Sequence, residues 1–430
     1  MSEVQAGKSF WKAFGPGLLW AGAAIGVSHL VQSTRAGATY GFALVGLVLV
    51  ALVFKYPAFS FGPRYAAATG TSLLEGYRRR GVWALVIYAV LTLGTMFTIQ
   101  AAVTVVTSAI AVALFELPPQ IGSVSSVVVL SAILTAICAT LLFVGHYRWL
   151  DRIIKVVVLV LTVSTLTATA LALPKVDWSS FRLLPPAELL ESPVHLVFLA
   201  ALVGWMPSAF DISIWHSLWT IAKRRETQHA PSVREALVDF KVGYFGTALL
   251  ALCFLTLGAG VMFQSGRAFS GSAGGFANQV IALYTENLGD WSRPLIGLSA
   301  LTVMFSTTLT VVDGFPRAIA TLVERFRGPE VPDQPDAASR RVYWGALIVL
   351  GIGTIVIAAF LLTSLKGLVD VATVLSFLTA PVLAVLNHRA ILGAEVPVAH
   401  RPRGAMVAYS WAGIVFSLVF ALWFLKVRFL

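Results

Sequence analysis

About eleven stretches of this chain are apolar for long enough to cross a ~30 Å hydrocarbon layer, and this limits the folds open to it. Their approximate limits are 14–35, 41–62, 82–115, 123–144, 153–173, 193–221, 241–264, 291–324, 343–363, 367–388 and 405–427. In lipid every backbone N–H and C=O must find its partner inside the protein, so runs of this length imply a bundle of membrane-crossing helices. The composition agrees. Hydrophobic residues make up 58% of the chain and charged ones 12%, against roughly a quarter charged in soluble domains.

The formal net charge of +11 would suit a nucleic-acid partner, but its distribution argues for membrane topology. Basic residues gather on alternate connections: Arg78-Arg79-Arg80; Arg148, Arg152 and Lys155; Lys223-Arg224-Arg225; Arg325, Arg327, Arg340 and Arg341; Arg389, Arg401 and Arg403. The connections between them hold few. This positive-inside bias predicts an inner (cell) membrane protein with its N-terminus in the cytoplasm and, after an odd number of spans, its C-terminus outside. Cys138 and Cys253 fall within apolar runs, so no disulfide framework is implied. The N-terminal stretch has no small-residue cleavage site, and the first span reads as retained.

Two features recur five spans apart. Spans three and eight are the longest, while spans one and six are the most interrupted by Gly, Pro and polar residues. Span one follows "FGPG" and is interrupted near Gly26; span six follows Pro193 and is interrupted at "VGWMPSAFDIS". An odd offset gives the second half the opposite orientation. Matched interruptions in two inverted halves point to the central site of a secondary transporter, where freed carbonyls and half-helix ends meet the cargo. An ordinary proline kink at Pro207 is the plainer alternative. The predicted organisation is a cytoplasmic N-terminus (1–13), a five-helix repeat (14–173), an external loop (174–192), an inverted five-helix repeat (193–388) and an eleventh helix (405–427).

The stretch "FGPGLLWAGAAIGVSHLVQSTRAGATYGF" resembles the first helix of the Nramp (natural resistance-associated macrophage protein) divalent-metal transporters. The likeness continues through "PRYAAATGTSLLE", "GWMP" and "STTLT". It implies a leucine-transporter-like, all-α fold of five plus five core helices, with helices 1 and 6 broken. The family's Asp-Pro-Gly-Asn metal motif is absent: by ungapped alignment those positions hold Gly26, Val27, Ser28 and His29. In span six Met206 and Pro207 match the family's Met-Pro-His, and Ser208 replaces the His. The carbonyl that relatives supply three residues before the Met corresponds to that of Val203. The chain is identified as a divergent branch of the family.

The polar residues of these spans are the candidate site. Gly26, Ser28, His29, Gln32, Val203, Met206, Ser208 and Asp211 are the substrate-binding set. His29 is a ligand, a proton carrier, or a core histidine on a backbone carbonyl. Asp211 is a functional intramembrane carboxylate or a cap on the second half of helix 6. Together His29, Asp211 and Met206 would make a mixed site for a borderline-to-soft divalent metal, or line a pocket for a small organic solute. Ser306, Thr307 and Thr308 are hydroxyls for a coupling ion, or simply bond the preceding turn. Arg35, His216 and Asp313 are pathway or gate candidates; Arg35 pairs with a carboxylate or snorkels. Asp370 and Gln100 are lesser candidates, and Lys55 and Arg64 read as snorkelling or as binding anionic lipid.

No phosphate loop, HExxH or Cys/His cluster is present, so no cofactor is implied. The expected partners are a metal-ion or small-molecule substrate, H+ or Na+ as coupling ion, and the lipid bilayer, with no nucleic acid. The function predicted is secondary transport of a divalent metal, with organic-solute transport on the same fold as the alternative. An intramembrane enzyme and a receptor that has lost transport complete the alternatives.

Overall fold

A computed structural model describes residues 11–182, 185–263, 293–330, 337–361 and 365–429, with isolated positions between 264 and 292. Of the expected N-terminal segment, residues 1–10 lie outside the described residues. The elements are nearly all helical: α1 (Pro16–Ala24), a π-helical segment (Gly26–Ser33), α2 (Thr34–Tyr40), α3 (Val45–Thr69), α4 (Leu73–Arg80) and α5 (Val82–Leu114). A two-residue hairpin, β1 (Gln120–Ile121) and β2 (Val124–Ser125), precedes α6 (Ser126–Ala172). Then come α7 (Ala187–Glu191), α8 (Pro193–Trp205), α9 (Asp211–Thr227), α10 (Val233–Leu257), α11 (Arg293–Arg327), α12 (Ala337–Val356), α13 (Leu365–Ile391) and α14 (Ala405–Phe429).

Eight helical stretches among the described residues are long and apolar enough to cross a membrane. The expected spans one, six and eight are not among them. Span one is divided by the π segment, and span six is divided into helices of 13 and 17 residues. Span eight falls in α11, its first two positions lying outside the described residues. Spans four and five, expected as separate helices, share the continuous α6; the connection around 145–152 is itself helical, since no Pro or helix-ending Gly geometry interrupts it.

Helix 1 (α1, the π segment and α2) threads the middle of the bundle, packed against α10, α6, α9 and α11. Small residues permit this closeness. A Cβ on Gly37 would lie 2.0 Å from the Leu255 carbonyl oxygen, and one on Gly258 would lie 2.2 Å from that of Thr34. The N-terminus of α1 is held by α10: the buried Asp239 carboxylate accepts the backbone N–H groups of Gly15 at 3.0 Å and Gly17 at 2.6 Å. Two of the helix's otherwise orphaned donors are satisfied, and the negative charge suits the positive end of the helix dipole.

Candidate functional site

Helix 6 is truly interrupted. Between α8 and α9 the chain leaves the helix from Met206 to Phe210, with a cis peptide bond between Met206 and Pro207. The last carbonyls of α8 are thereby released from helical bonding. They are not free: the ammonium of Lys55, from the middle of α3, donates to the Val203 carbonyl and, at 2.8 Å, to that of Gly204. Lys55 is fully buried, so the expected snorkelling does not occur. Snorkelling needs an exit to the interface, and here the carbonyls supply a nearer partner.

In helix 1 the interruption at Gly26 takes the form of π turns rather than an extended gap. Wide turns of this kind concentrate at functional sites. Two of the side chains placed here bond locally: Ser28 Oγ donates to the Ala24 carbonyl, and His29 Nδ1 lies 2.9 Å from that oxygen and 2.7 Å from Ser28 Oγ. His29 Nε2 lies 2.9 Å from the Thr247 carbonyl oxygen of α10. The imidazole therefore links helix 1 to α10, the core-histidine alternative, and its partners do not include Asp211. Gly26 leaves no room for a ligand, because a Cβ there would sit 2.5 Å from Thr307 Oγ1 and 2.6 Å from its Cγ2. Gln32 is buried with neither amide atom hydrogen-bonded.

Between the two interruptions is an enclosed central cavity of about 30 Å³, bordered by Ser28, Trp205, Ser208, Ala209, Trp215 and Thr307 among others. No carboxylate borders it. The indole N–H groups of Trp205 and Trp215 are buried without acceptors. Met206, expected as a soft ligand, packs instead in an apolar cluster with Ala36, Val48, Leu199 and Phe377. Asp211 opens α9, buried, and accepts from Thr92 Oγ1 at 3.4 Å; its charge faces the favourable end of that helix. Among the described residues, no group of three or more His, Cys, Asp or Glu is placed to hold a metal ion.

On α11 the clustered hydroxyls bond backbone. Ser306 donates to Val303 O at 2.7 Å and Thr308 to Met304 O at 2.9 Å, while Thr307 crosses to the Gly22 carbonyl of helix 1 at 2.7 Å. Thr107 Oγ1 lies 2.7 Å from Thr308 Oγ1.

Arg35, 7% exposed, bonds Asp370 of α13 at 2.6 and 3.4 Å, and its guanidinium lies 4.3 Å from the centroid of the Phe198 ring of α8. Of the two alternatives for Arg35, snorkelling, the favoured one, gives way to pairing with a carboxylate, that of Asp370. At the opposite, arginine-rich end a cavity of about 770 Å³ is bordered by Arg225, Asp313, Arg317, Arg325 and Tyr343. Trp215, which borders the central cavity, packs on Phe315 at 4.7 Å and Trp219 at 6.1 Å between centroids. Trp219 donates to Asp313, which also accepts from Arg317 and Tyr343. Asp313 is therefore an ion-pair partner. His216 faces Phe240, and neither ring nitrogen has a hydrogen-bond partner.

Residues that sequence reasoning passed over are Lys55, as anything but a snorkelling side chain, Asp239 and Glu75. Glu75, fully buried in α4, gathers Arg78 (2.8 Å), Arg79 (2.9 Å) and Arg325 (3.5 Å) and accepts the Glu330 N–H. Its hydrogen bond holds Arg78 above the ordinary guanidinium range. A charged residue inside an apolar run was the available signal for Lys55; Asp239 lies just ahead of span seven, among Arg234, Glu235 and Lys241, and carried no such signal.

The family model described as "Natural resistance-associated macrophage protein-like" matches residues 17–426. An uncharacterized protein of Pasteurella multocida (strain Pm70) is 35% identical over 436 residues, covering 99% of this chain and 96% of that protein. The divalent metal cation transporter MntH of Staphylococcus aureus (strain JH9) is 23% identical over 331 residues, covering 72% and 70%. The crystal structure of a manganese transporter mutant from Eremococcus coleocola superposes with a TM-score of 0.72 at 15% identity, covering 98% of this chain and 87% of that one.

Proposed function

This chain belongs to the Nramp family, membrane transporters of leucine-transporter-like fold and not enzymes, and from that premise we propose that it carries a metal cation across the inner membrane by alternating access. The charge asymmetry of the loops supports a cytoplasmic N-terminus in this reading, with 14–173 and 193–388 as its two repeats. The observation that carries the reading is the interrupted helix 6, whose terminal carbonyls at Val203 and Gly204 already hold a positive charge, that of Lys55. Helix-end carbonyls of this kind attract cations. Relatives named for divalent metal and for manganese support the same substrate class.

In the state described, Arg35–Asp370 closes the external end while the larger cavity opens toward the cytoplasm. Trp215 and Trp219 form the inner barrier. Ser28 and Ser208 supply the neutral polar lining, with Asp211 and Gln32 as buried polar groups outside that lining. H+ or Na+ is the coupling ion of this reading, with Ser306, Thr307 and Thr308 as the hydroxyls near helix 1; Thr307 donates to the Gly22 carbonyl at 2.7 Å.

A second reading is favoured by one specific observation. The central cavity has two unpartnered indole donors and no carboxylate, a lining suited to a small organic solute bearing acceptors. Flux into proteoliposomes separates the two. Saturable uptake of Mn²⁺, Fe²⁺, Zn²⁺ or Mg²⁺, accelerated by an inward proton gradient, is the expected outcome. If all four ions fail while an amino-acid or related solute is taken up, the metal reading is replaced by the solute one.

A further inference from the structure

Lys55 departs from what an apolar span should contain. It lies ten residues into the 25-residue α3, is 1% exposed, and has no ion-pair carboxylate among the described residues. A buried ammonium without a counter-charge is strongly disfavoured unless its donors are satisfied. Here two are satisfied by the Val203 and Gly204 carbonyls, and the ammonium lies 5.4 Å from the centroid of the Phe210 ring, where a cation–π attraction acts. Phe210 is held in place by stacking on Phe59 at 4.8 Å. These partners have one thing in common: each prefers a cation over a neutral group. The carbonyls sit at the negative end of α8, and the ring offers its electron-rich face.

We propose that the Val203 and Gly204 carbonyls with the Phe210 ring form a binding site for a single positive charge, and that Lys55 is its built-in occupant. The chemical class the site takes is a primary ammonium or a monovalent cation of similar size. The inference deepens the transport reading, on which it rests for one consequence only. A metal ion reaching these carbonyls must displace the Lys55 ammonium, so Lys55 sets which cations the break accepts. A lysine that merely fills space or finishes a helix predicts no preference for charge.

The experiment is chemical rescue of the full-length protein in detergent, read by thermal unfolding. Lys55→Ala lacks three methylenes and the nitrogen, the atoms of n-propylammonium. That ion is expected to raise the midpoint of Lys55→Ala by several degrees, saturably and in the millimolar range, and to leave the wild-type protein unmoved. The isosteric neutral 1-propanol is expected to do nothing. Equal effects of the two probes, or no effect of either on folded variant, would overturn the proposal. Should Lys55→Ala fail to fold, Lys55→Met keeps the volume without the charge. Saturable stabilisation of Lys55→Met by Na+ or K+, absent in the wild type, supports the site; its absence overturns it. Neither readout involves flux, so failure of the transport reading leaves the rescue result intact, and the reverse also holds.

Discussion

The guanidinium of Arg35 and the carboxylate of Asp370 lie 2.6 Å apart, joining α2 to α13. Their side chains are 9% and 16% exposed. On the transport reading proposed above the pair acts as a latch, which must part for its face to open.

Removing one partner from a fully buried pair costs about 3–5 kcal/mol, and the slight solvent contact here reduces that to about 1–3 kcal/mol. Asp370→Asn is therefore expected to shift the open-to-closed ratio by about tenfold or more. Alkylation of a cysteine introduced at Ala36, which is buried in the closed state, should accelerate by a similar factor. Exchanging the charges (Arg35→Asp with Asp370→Arg) should return the rate toward the parent value. An unchanged rate in Asp370→Asn removes the latch.

At Gly26 the argument is one of volume. Three Thr307 atoms lie within 2.7 Å of where a Cβ would stand, and Thr307 is itself tied to the Gly22 carbonyl. Gly26→Ala should cost about 1–3 kcal/mol, as overpacking typically does, visible as a lower unfolding midpoint. Gly26→Asp, which restores the acidic residue found at this position in the family, should destabilise further and gain no Mn²⁺ uptake. Acquired Mn²⁺ uptake by the stable Gly26→Asp protein would contradict this packing account.

His29 bridges Ala24 and Thr247 backbone oxygens. In the neutral ring only one nitrogen donates, so the imidazole donates to one of these two oxygens, while the single hydroxyl hydrogen of Ser28, 2.7 Å from Nδ1, goes to the Ala24 carbonyl. His29→Ala leaves buried acceptors unpaired and a void, at about 2–4 kcal/mol. The unfolding midpoint should fall markedly, and His29→Gln, which keeps a donor, should recover part of it. A normal midpoint accompanied by loss of cargo binding would instead mark His29 as a ligand.

Much of the architecture was legible because lipid imposes a simple rule on the chain. Apolar length marks a crossing helix, and Pro207 with its neighbouring Gly204 marked the helix 6 interruption correctly. The Gly26 interruption was located, but not its form, since π turns and an extended gap share the same glycine and polar residues. Partners were the less legible part. Arg35 named its own need for a carboxylate, yet Asp370 is 335 residues away and nothing local distinguishes it from Asp313. Lys55 and Asp239 were obscured for a related reason: each answers a helix end supplied by a distant element, α8 for Lys55 and α1 for Asp239. Met206 illustrates the converse. Its place in a matched Met-Pro pair suggested a ligand, whereas its side chain lies in apolar packing, which no local residue pattern announces.

That packing gives Met206 a distinguishing test. The side chain is 0% exposed, among Ala36, Val48, Leu199 and Phe377, and does not border the central cavity. A thioether that binds a soft ion discriminates Mn²⁺, Fe²⁺ or Zn²⁺ from Mg²⁺, so its removal penalises the softer ions more. A thioether that fills a core removes about 2–4 kcal/mol of stability on truncation and is indifferent to the ion. Met206→Ala is expected to lower the unfolding midpoint and to reduce uptake of all four ions in equal proportion, while Met206→Leu, of nearly the same volume, restores both stability and uptake. Selective loss of Zn²⁺ or Fe²⁺ uptake in Met206→Leu, with Mg²⁺ uptake retained, would place the sulfur back at the cargo.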